Sequence, residues 1–365
     1  MNVTELTRHL VAIDTVNPPG NEKEAMALCA GLLSEAGFDC REAGKGNLLA
    51  TRGITDGAAA LAFTGHLDTV PLGDAPWRYP AHDAAIADGR IFGRGTTDMK
   101  GGVAAFVCAA INTPPPPGGI ALMLTVREET GSEGARLMAE AGGLPEIGGL
   151  IVTEPTSNRP VYGHKGAFWL RLRARGVTAH GSMPEKGDNA ISRMVRALGA
   201  LEGYVPGSAH AVMGKPTLNV GTIRGGLNTN SVPDLCEVTV DMRSVPGVDH
   251  AVIYADLAER CGSDIEIDRL IDLPSVWTDP QNPWITAIAE YAQRLAGADV
   301  SVSAASYFTD ASILTPALGN VPTIILGPGD PELAHQTDES VSIERLNQAC
   351  AIYGAAIEGW DGHKR

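Results

Sequence analysis

Two residues that could do chemistry together, His66 and Asp68, sit two positions apart in the run Gly65-His66-Leu67-Asp68-Thr69-Val70-Pro71. The apolar stretch Ala59 to Phe63 precedes them and Pro71 halts any further strand. The pattern predicts a buried strand whose C-terminal end delivers both side chains. Residues two apart in a strand share a face, so the imidazole and the carboxylate can meet one cavity. A histidine beside a carboxylate suits a metal ligand with the group that orients it. Taken alone, H-x-D reads more plainly as a surface turn.

Four later clusters change that reading. They are Gly93-Arg94-Gly95-Thr96-Thr97-Asp98-Met99-Lys100-Gly101-Gly102, then Arg127-Glu128-Glu129-Thr130-Gly131, then Thr153-Glu154-Pro155-Thr156, and finally Ala334-His335-Gln336-Thr337-Asp338-Glu339. The glycines around Asp98 let the backbone come close to whatever that carboxylate holds. Glu128 and Glu129 repel each other unless a cation lies between them or their roles differ. Two histidines with three or four carboxylates, and no cysteine, suit zinc or a similar divalent ion. Asp98 could bridge two such ions about 3.5–4 Å apart.

The elements that must position these groups are legible in outline. Helices are expected at about 22–36, 103–111, 131–142, 284–295 and 343–357, and near the N-terminus with Thr4 as its cap. Strands are expected at 47–51, 60–64, 120–126, 150–152 and 323–326. Strands alternating with helices predict an α/β fold with a helix-covered, largely parallel sheet. Ligands then belong in the crevice outside the carboxyl ends of the strands. The texture changes after about residue 168. Phe168, Leu170, Leu172 and Ala174 alternate with Trp169, Arg171, Arg173 and Arg175, and 236–243 alternates likewise. That is the pattern of a sheet with one wet face. With helices near 189–202 and 248–261, it predicts an inserted α+β domain over 168–278. The halves 1–167 and 279–365 then form one metal-binding domain, joined by a proline-containing return at 273–283.

The chain has 365 residues, 44% hydrophobic and 19% charged, with a formal net charge of -15. That is enough for roughly two domains. The acidic balance argues against nucleic acid and anionic membranes as partners. Six scattered cysteines without a C-x-x-C read as free thiols of a reducing compartment. No signal peptide or membrane-spanning run is seen, so a cytoplasmic protein is expected.

The set G-H-x-D-T-V-P, G-R-G-x-x-D-M-K-G-G, E-E-x-G, E-P-T and a late histidine resembles one family. It is that of acetylornithine deacetylase, succinyl-diaminopimelate desuccinylase and carboxypeptidase G, which are dinuclear zinc amidohydrolases. The resemblance spans about residues 14–343. It implies that His66, Asp98 and Glu154 hold one zinc and Asp98, Glu129 and His335 the other, with cobalt or manganese chemically open to the same donors. It implies that Asp68 orients His66, that Glu128 is the general base acting on a bridging water, and that the inserted domain is a dimerisation lid. From the residues alone, Glu128 and Glu129 could exchange roles.

Three lid and loop positions follow from the same resemblance. His180, in Ala179-His180-Gly181-Ser182, would reach the partner subunit's site and stabilise an oxyanion. Asn230 would belong to a substrate loop, and Arg243 would clamp a substrate carboxylate. Gly327, in Gly327-Pro328-Gly329, would bring its backbone to the substrate. The expected substrate is a small N-acyl-L-amino acid, with details most like the acetylornithine deacetylase branch. Thr309-Asp310-Ala311 departs from that branch, which often has Glu at the second position. A desuccinylase or a carboxypeptidase-like dipeptidase is the near alternative. A non-catalytic metal or amino-acid binding protein is the remote one.

Overall fold

A computed structural model describes residues 1–363 of the chain. It forms two compact units. The first holds Met1–Gly163, Trp277–Ser303 and the residues from Thr309 onward; the second holds His164–Val276 and Ala304–Phe308. The second unit therefore runs from 164 to 276 rather than from 168 to 278, and it recruits a short later segment. The cause is backbone pairing: Lys165 N–H donates to Ala305 O at 3.0 Å, and His164 bridges to Ala305. No local pattern announces such a tie.

The first unit is built on a six-stranded sheet. Its spatial order is Asp39–Glu42, Leu48–Arg52, Ile120–Thr125, Ala60–His66, Ile147–Val152, Thr323–Ile325. The last four strands run parallel, and the first two add antiparallel pairings at one edge. The three central strands are buried along their whole length, which is why they read as continuous apolar runs. Helix Gly101–Asn112 is buried for nearly all its length. Its Phe106 ring stacks on Phe63 at 5.9 Å, and Tyr353 of helix Ile343–Glu358 meets Phe63 edge-on at 5.4 Å.

Several helices start at side-chain caps. Asn282 accepts from Trp284 and Ile285 N–H ahead of helix Pro283–Ala296, and Ser342 accepts from Arg345 N–H. The first helix begins two residues earlier than expected. Asn2, not Thr4, caps Val3–Ala12, because Asn2 and Glu5 exchange bonds as a capping box.

Parallel order has a functional consequence. It sets the C-terminal ends of Ala60–His66, Ile120–Thr125 and Ile147–Val152 side by side. His66 closes the first strand, Glu128 and Glu129 follow the second, and Glu154 follows the third. A small antiparallel sheet of Ala85–Ala87, Arg90–Phe92 and Ser340–Ser342 joins the Gly93–Asp98 turn to the His335 segment, with Ser340 opposite Phe92.

The second unit is a four-stranded antiparallel sheet in the order Thr217–Gly225, Leu235–Ser244, Gly166–Arg175, Ile265–Leu273. Phe168, Leu170, Leu172, Cys236, Val238 and Val240 form its buried face under helices Ala190–Leu201 and His250–Cys261. The alternating runs produced the expected one-sided sheet. Strand Thr217–Gly225 is an edge, exposed over almost its whole length.

Candidate metal centre

Asp98 is the centre of the cluster. Its Oδ1 lies 3.2 Å from His66 Nε2 and its Oδ2 lies 3.2 Å from His335 Nε2. His66 Nε2 also faces Glu154 Oε1 at 3.8 Å, and His335 Nε2 faces Glu129 Oε1 at 3.2 Å. Ligand atoms of His66, Asp98 and Glu129 all lie within 4.8 Å of one another. The five residues expected to hold metal are thus brought together, and Asp98 divides them into a His66–Glu154 side and a Glu129–His335 side. The two sides differ in depth: the His66 side chain is 1% exposed and the His335 side chain 51%.

Asp68 meets His66 mainly through its main chain. His66 Nδ1 is 2.9 Å from the Asp68 carbonyl oxygen and 3.5 Å from Asp68 Oδ1. A carbonyl can only accept, so Nδ1 carries the hydrogen and Nε2 keeps its lone pair for a ligand. The Asp68 carboxylate instead accepts the N–H groups of Glu128 at 3.0 Å and Glu129 at 3.2 Å, and Asn17 Nδ2 at 3.0 Å. One residue therefore sets the ring of His66 through its main chain and the Glu128–Glu129 turn through its side chain.

That turn and the His335 turn are locally strained. Arg127 has φ 55° and His335 φ 63°, in the left-handed region that non-glycine residues enter at about 1 kcal/mol or more. Glycine supplies close approach elsewhere: a Cβ on Gly102 would lie 2.3 Å from Thr153 O, so helix Gly101–Asn112 could not abut the Glu154 strand with any side chain there.

The electrostatics fit a cation. Burial, then the charge of Asp98, pushes the carboxyls of Glu129 and Glu154 above their ordinary range. Glu128 is raised well above its ordinary value by burial and by the charge of Glu154. Hydrogen bonds to the Asp98 and Glu129 carboxylates push His335 up to about 10. Burial pulls His66 down, but the bonds to Asp68 and Asp98 outweigh it and leave it raised. Carboxylates that raise one another, gathered around two imidazoles, make a donor set that a divalent ion satisfies. The Glu129 carboxylate is engaged by His335. The Glu128 carboxylate, in a residue only 5% exposed, makes no hydrogen bond among the described residues.

Gly327 takes a different part from the one expected. Its N–H donates to Thr156 Oγ1 at 3.0 Å, and its carbonyl accepts from Asn158 N–H at 2.8 Å. A Cβ there would lie 2.2 Å from Thr153 O. Its backbone is used to seat the Glu154 loop, not left free for a ligand.

His180, Asn230 and Arg243 lie on the second unit. Gly181 N–H donates to Asn230 O at 2.7 Å and His180 bridges to Ser231, so the His180 and Asn230 loops are neighbours. Both residues are exposed. Arg243 Nε lies 2.9 Å from Asp241 Oδ1 on its own strand, and its guanidinium sits 5.8 Å from the Trp169 ring centre.

Sequence reasoning gave Asn17 and Glu339 no role and read Asp310 only as a departure from the deacetylase branch. Asp310 is 2% exposed, accepts from Thr125 Oγ1 at 2.5 Å, and burial pushes it up to about 6. Only its buried acidic character, one step before a helix, hinted at such a place.

The family model described as peptidase family M20/M25/M40 matches residues 62–359. The chain belongs to that family. Membership makes it a hydrolase that acts on amides, in a family whose members include metal-binding peptidases. A probable succinyl-diaminopimelate desuccinylase of Staphylococcus epidermidis is 34% identical over 92% of this chain and 92% of its own. An acetylornithine deacetylase of Aliivibrio salmonicida is 34% identical over 95% of this chain and 93% of its own. Among solved structures, a metallo-carboxypeptidase of the family from Sulfolobus solfataricus aligns with TM-score 0.80 at 17% identity, covering 98% of each chain. A dinuclear metal-binding peptidase of the family from Bacillus subtilis aligns with TM-score 0.71 at 16% identity, covering 97% of this chain and 96% of that one. These two likenesses establish the shared fold.

Proposed function

We propose that the chain hydrolyses the amide bond of a small N-acyl-L-amino acid, using two divalent ions and Glu128 as the proton carrier. The observation that carries this reading is the division of Asp98: each of its oxygens faces a different histidine at 3.2 Å, while Glu128 beside it stays uncommitted. His66, Asp98 and Glu154 would hold one ion and Asp98, Glu129 and His335 the other. The N/O donor set suits zinc, with cobalt or manganese able to replace it. When bound, such ions polarise the scissile carbonyl and lower the pKa of a water at the site.

The chain's own residues do the rest. The Glu128 carboxylate takes the proton that the attacking water sheds and returns it to the nitrogen of the leaving amine as the C–N bond breaks. Its burial, which raises its proton affinity, suits both halves of that transfer. Asp68 holds the Glu128 N–H and so fixes where the carboxylate hangs. Arg243 is assigned to the substrate carboxylate and His180, with the neighbouring Asn230 loop, to the developing oxyanion.

The acyl group is acetyl or succinyl. The acetyl reading rests on the resemblance to the deacetylase branch. The succinyl reading is favoured by relatives that carry the desuccinylase name at the same 34% identity. Steady-state rates on matched N-acetyl, N-succinyl and dipeptide substrates decide between them. No turnover of any of the three by zinc- or cobalt-loaded protein sinks the proposal.

A homodimer through the second unit and a cytoplasmic site of action complete the reading. The exposed edge strand Thr217–Gly225, with Ile223 53% and nearby Leu227 85% exposed, is a surface that calls for cover. The six cysteines are all free, as a reducing compartment would keep them. Among the described residues no helix is long and apolar enough to cross a membrane.

A further inference from the structure

The ligand-bearing loops of the first unit converge on one buried ion pair that the chemistry above does not use. Arg94 Nη1 lies 2.6 Å from Glu339 Oε2, and the two side chains are 2% and 1% exposed. The remaining bonds of the pair run to three loops. Arg94 Nη2 donates to Pro71 O at 3.1 Å, in the segment that follows His66 and Asp68. Arg94 Nη1 donates to Gln336 O at 3.2 Å, and Nη2 reaches His335 O at 3.5 Å. Glu339 Oε1 accepts from Thr97 N–H at 2.8 Å and from Asp98 N–H at 3.1 Å, and Oε2 accepts from Gly95 N–H at 3.1 Å. The Trp77 ring covers the guanidinium at 5.1 Å.

A buried ion pair is weak evidence for stability, because desolvation offsets most of its attraction. This pair is better explained by what it fixes. A planar guanidinium with donors on two nitrogens can hold one carboxylate and three carbonyls at once; an ammonium cannot. A carboxylate with two accepting oxygens can hold four donors; an amide has only one accepting oxygen. The residues so held include Asp98, through its own N–H, and His335, through its carbonyl and that of Gln336. These are two of the three residues on the half-exposed side of the cluster; the third, Glu129, meets His335 at 3.2 Å. His66 is fixed independently, by the Asp68 carbonyl.

We propose that Arg94 and Glu339 are positioning residues that preset Asp98 and His335 against each other, and so set the affinity of the His335 side for its divalent ion. This inference rests on the two-ion reading above. The test is calorimetric titration of zinc into chelator-stripped full-length protein, with folding of each metal-free variant checked by circular dichroism and melting temperature. Wild type should take up two equivalents. Arg94→Lys and Glu339→Gln should keep the tighter equivalent unchanged and weaken the other about 10- to 100-fold, the usual range for partners that orient a ligand. In Glu339→Gln the amide must turn its NH₂ either toward Arg94 and Gly95 N–H or toward Thr97 and Asp98 N–H, so two donors lose their acceptor whichever way it faces. Variants that bind both ions as wild type does would overturn the inference. So would variants that lose both ions equally, or failure of both variants to fold, since the pair would then serve the fold at large. A wild-type protein that binds a single ion defeats the two-ion reading itself, and that result appears before any variant is made.

Discussion

Replacing Glu128 by alanine should abolish turnover while leaving the metal centre in place. The separation follows from how the residue is attached. Its N–H donates to Asp68 Oδ1 at 3.0 Å, and that bond survives in Glu128→Ala because it is main-chain. Its carboxylate bonds to none of the ligands, whereas Glu129 Oε1 sits 3.2 Å from His335 Nε2. A positioned proton carrier is typically worth about 10²–10⁴ in rate. At about 1.4 kcal/mol per tenfold, that raises the barrier by roughly 3–5.5 kcal/mol. Because the interaction is made in the transition state and not in the ground state, kcat and kcat/KM should fall together and KM should hold. The assay is steady-state hydrolysis of the best N-acyl substrate, with metal content measured by elemental analysis on the same preparations. Two results would refute the reasoning. Glu128→Ala could keep more than about a tenth of wild-type kcat, well above the range for a proton carrier. Alternatively it could lose metal while Glu129→Ala keeps both ions, which would exchange the two roles.

Arg243→Lys should raise KM more than it lowers kcat, because a forked contact to a substrate carboxylate exists already in the ground state; an unchanged KM would leave Arg243 to Asp241 alone. Mixing inactive His180→Ala with inactive Glu128→Ala under subunit exchange should restore activity towards roughly a quarter of wild type if His180 completes the neighbour's site in a two-fold dimer. Exchange demonstrated by mass without returning activity would remove that role. His164 is fully buried, its Nε2 has no partner, and burial pushes it down from its ordinary 6.5 to about 4. Its folded value lies below the unfolded one, so between those limits the unfolded chain binds more protons. Stability should therefore fall as pH drops from about 6.5 to about 4, by up to roughly 3 kcal/mol from this residue. Urea midpoints of wild type and His164→Gln across that range check it; identical acid limbs would refute it.

How much of this was legible from residue order depends on what each feature is made of. The parallel strands were readable because burial on both faces leaves continuous apolar runs, as in Ile120–Thr125. The residues proposed as metal ligands stood out as a group because strand ends and glycine turns surround them. Asp39–Glu42 was not readable as a strand: its four residues are charged or only partly buried, and only pairing with Leu48–Arg52 makes them one. Thr217–Gly225 and Ile265–Leu273 each carry an irregularity, at 220–222 and 269–271, that breaks the period of two. The structural parts of Glu339 and Asp310 were not readable for another reason. Their partners, Asp98 N–H and Thr125 Oγ1, come from segments 241 and 185 positions away, and no local pattern encodes an acceptor for a distant donor.

The order of the proposed ligands along the chain also sets a timetable for making the enzyme. His66, Asp98, Glu129 and Glu154 leave the ribosome before any of the second unit, whereas His335 and Glu339 follow all of it. At typical synthesis rates the interval is about ten to thirty seconds. Throughout it, the emerging half-site has Asp98 without the Glu339 acceptor for its N–H and Glu129 without His335. The cluster is complete only when the last strand of the small sheet, Ser340–Ser342, docks against Arg90–Phe92. Under the two-ion proposal, the Glu129–His335 side can form only in the finished protein and not on the nascent chain.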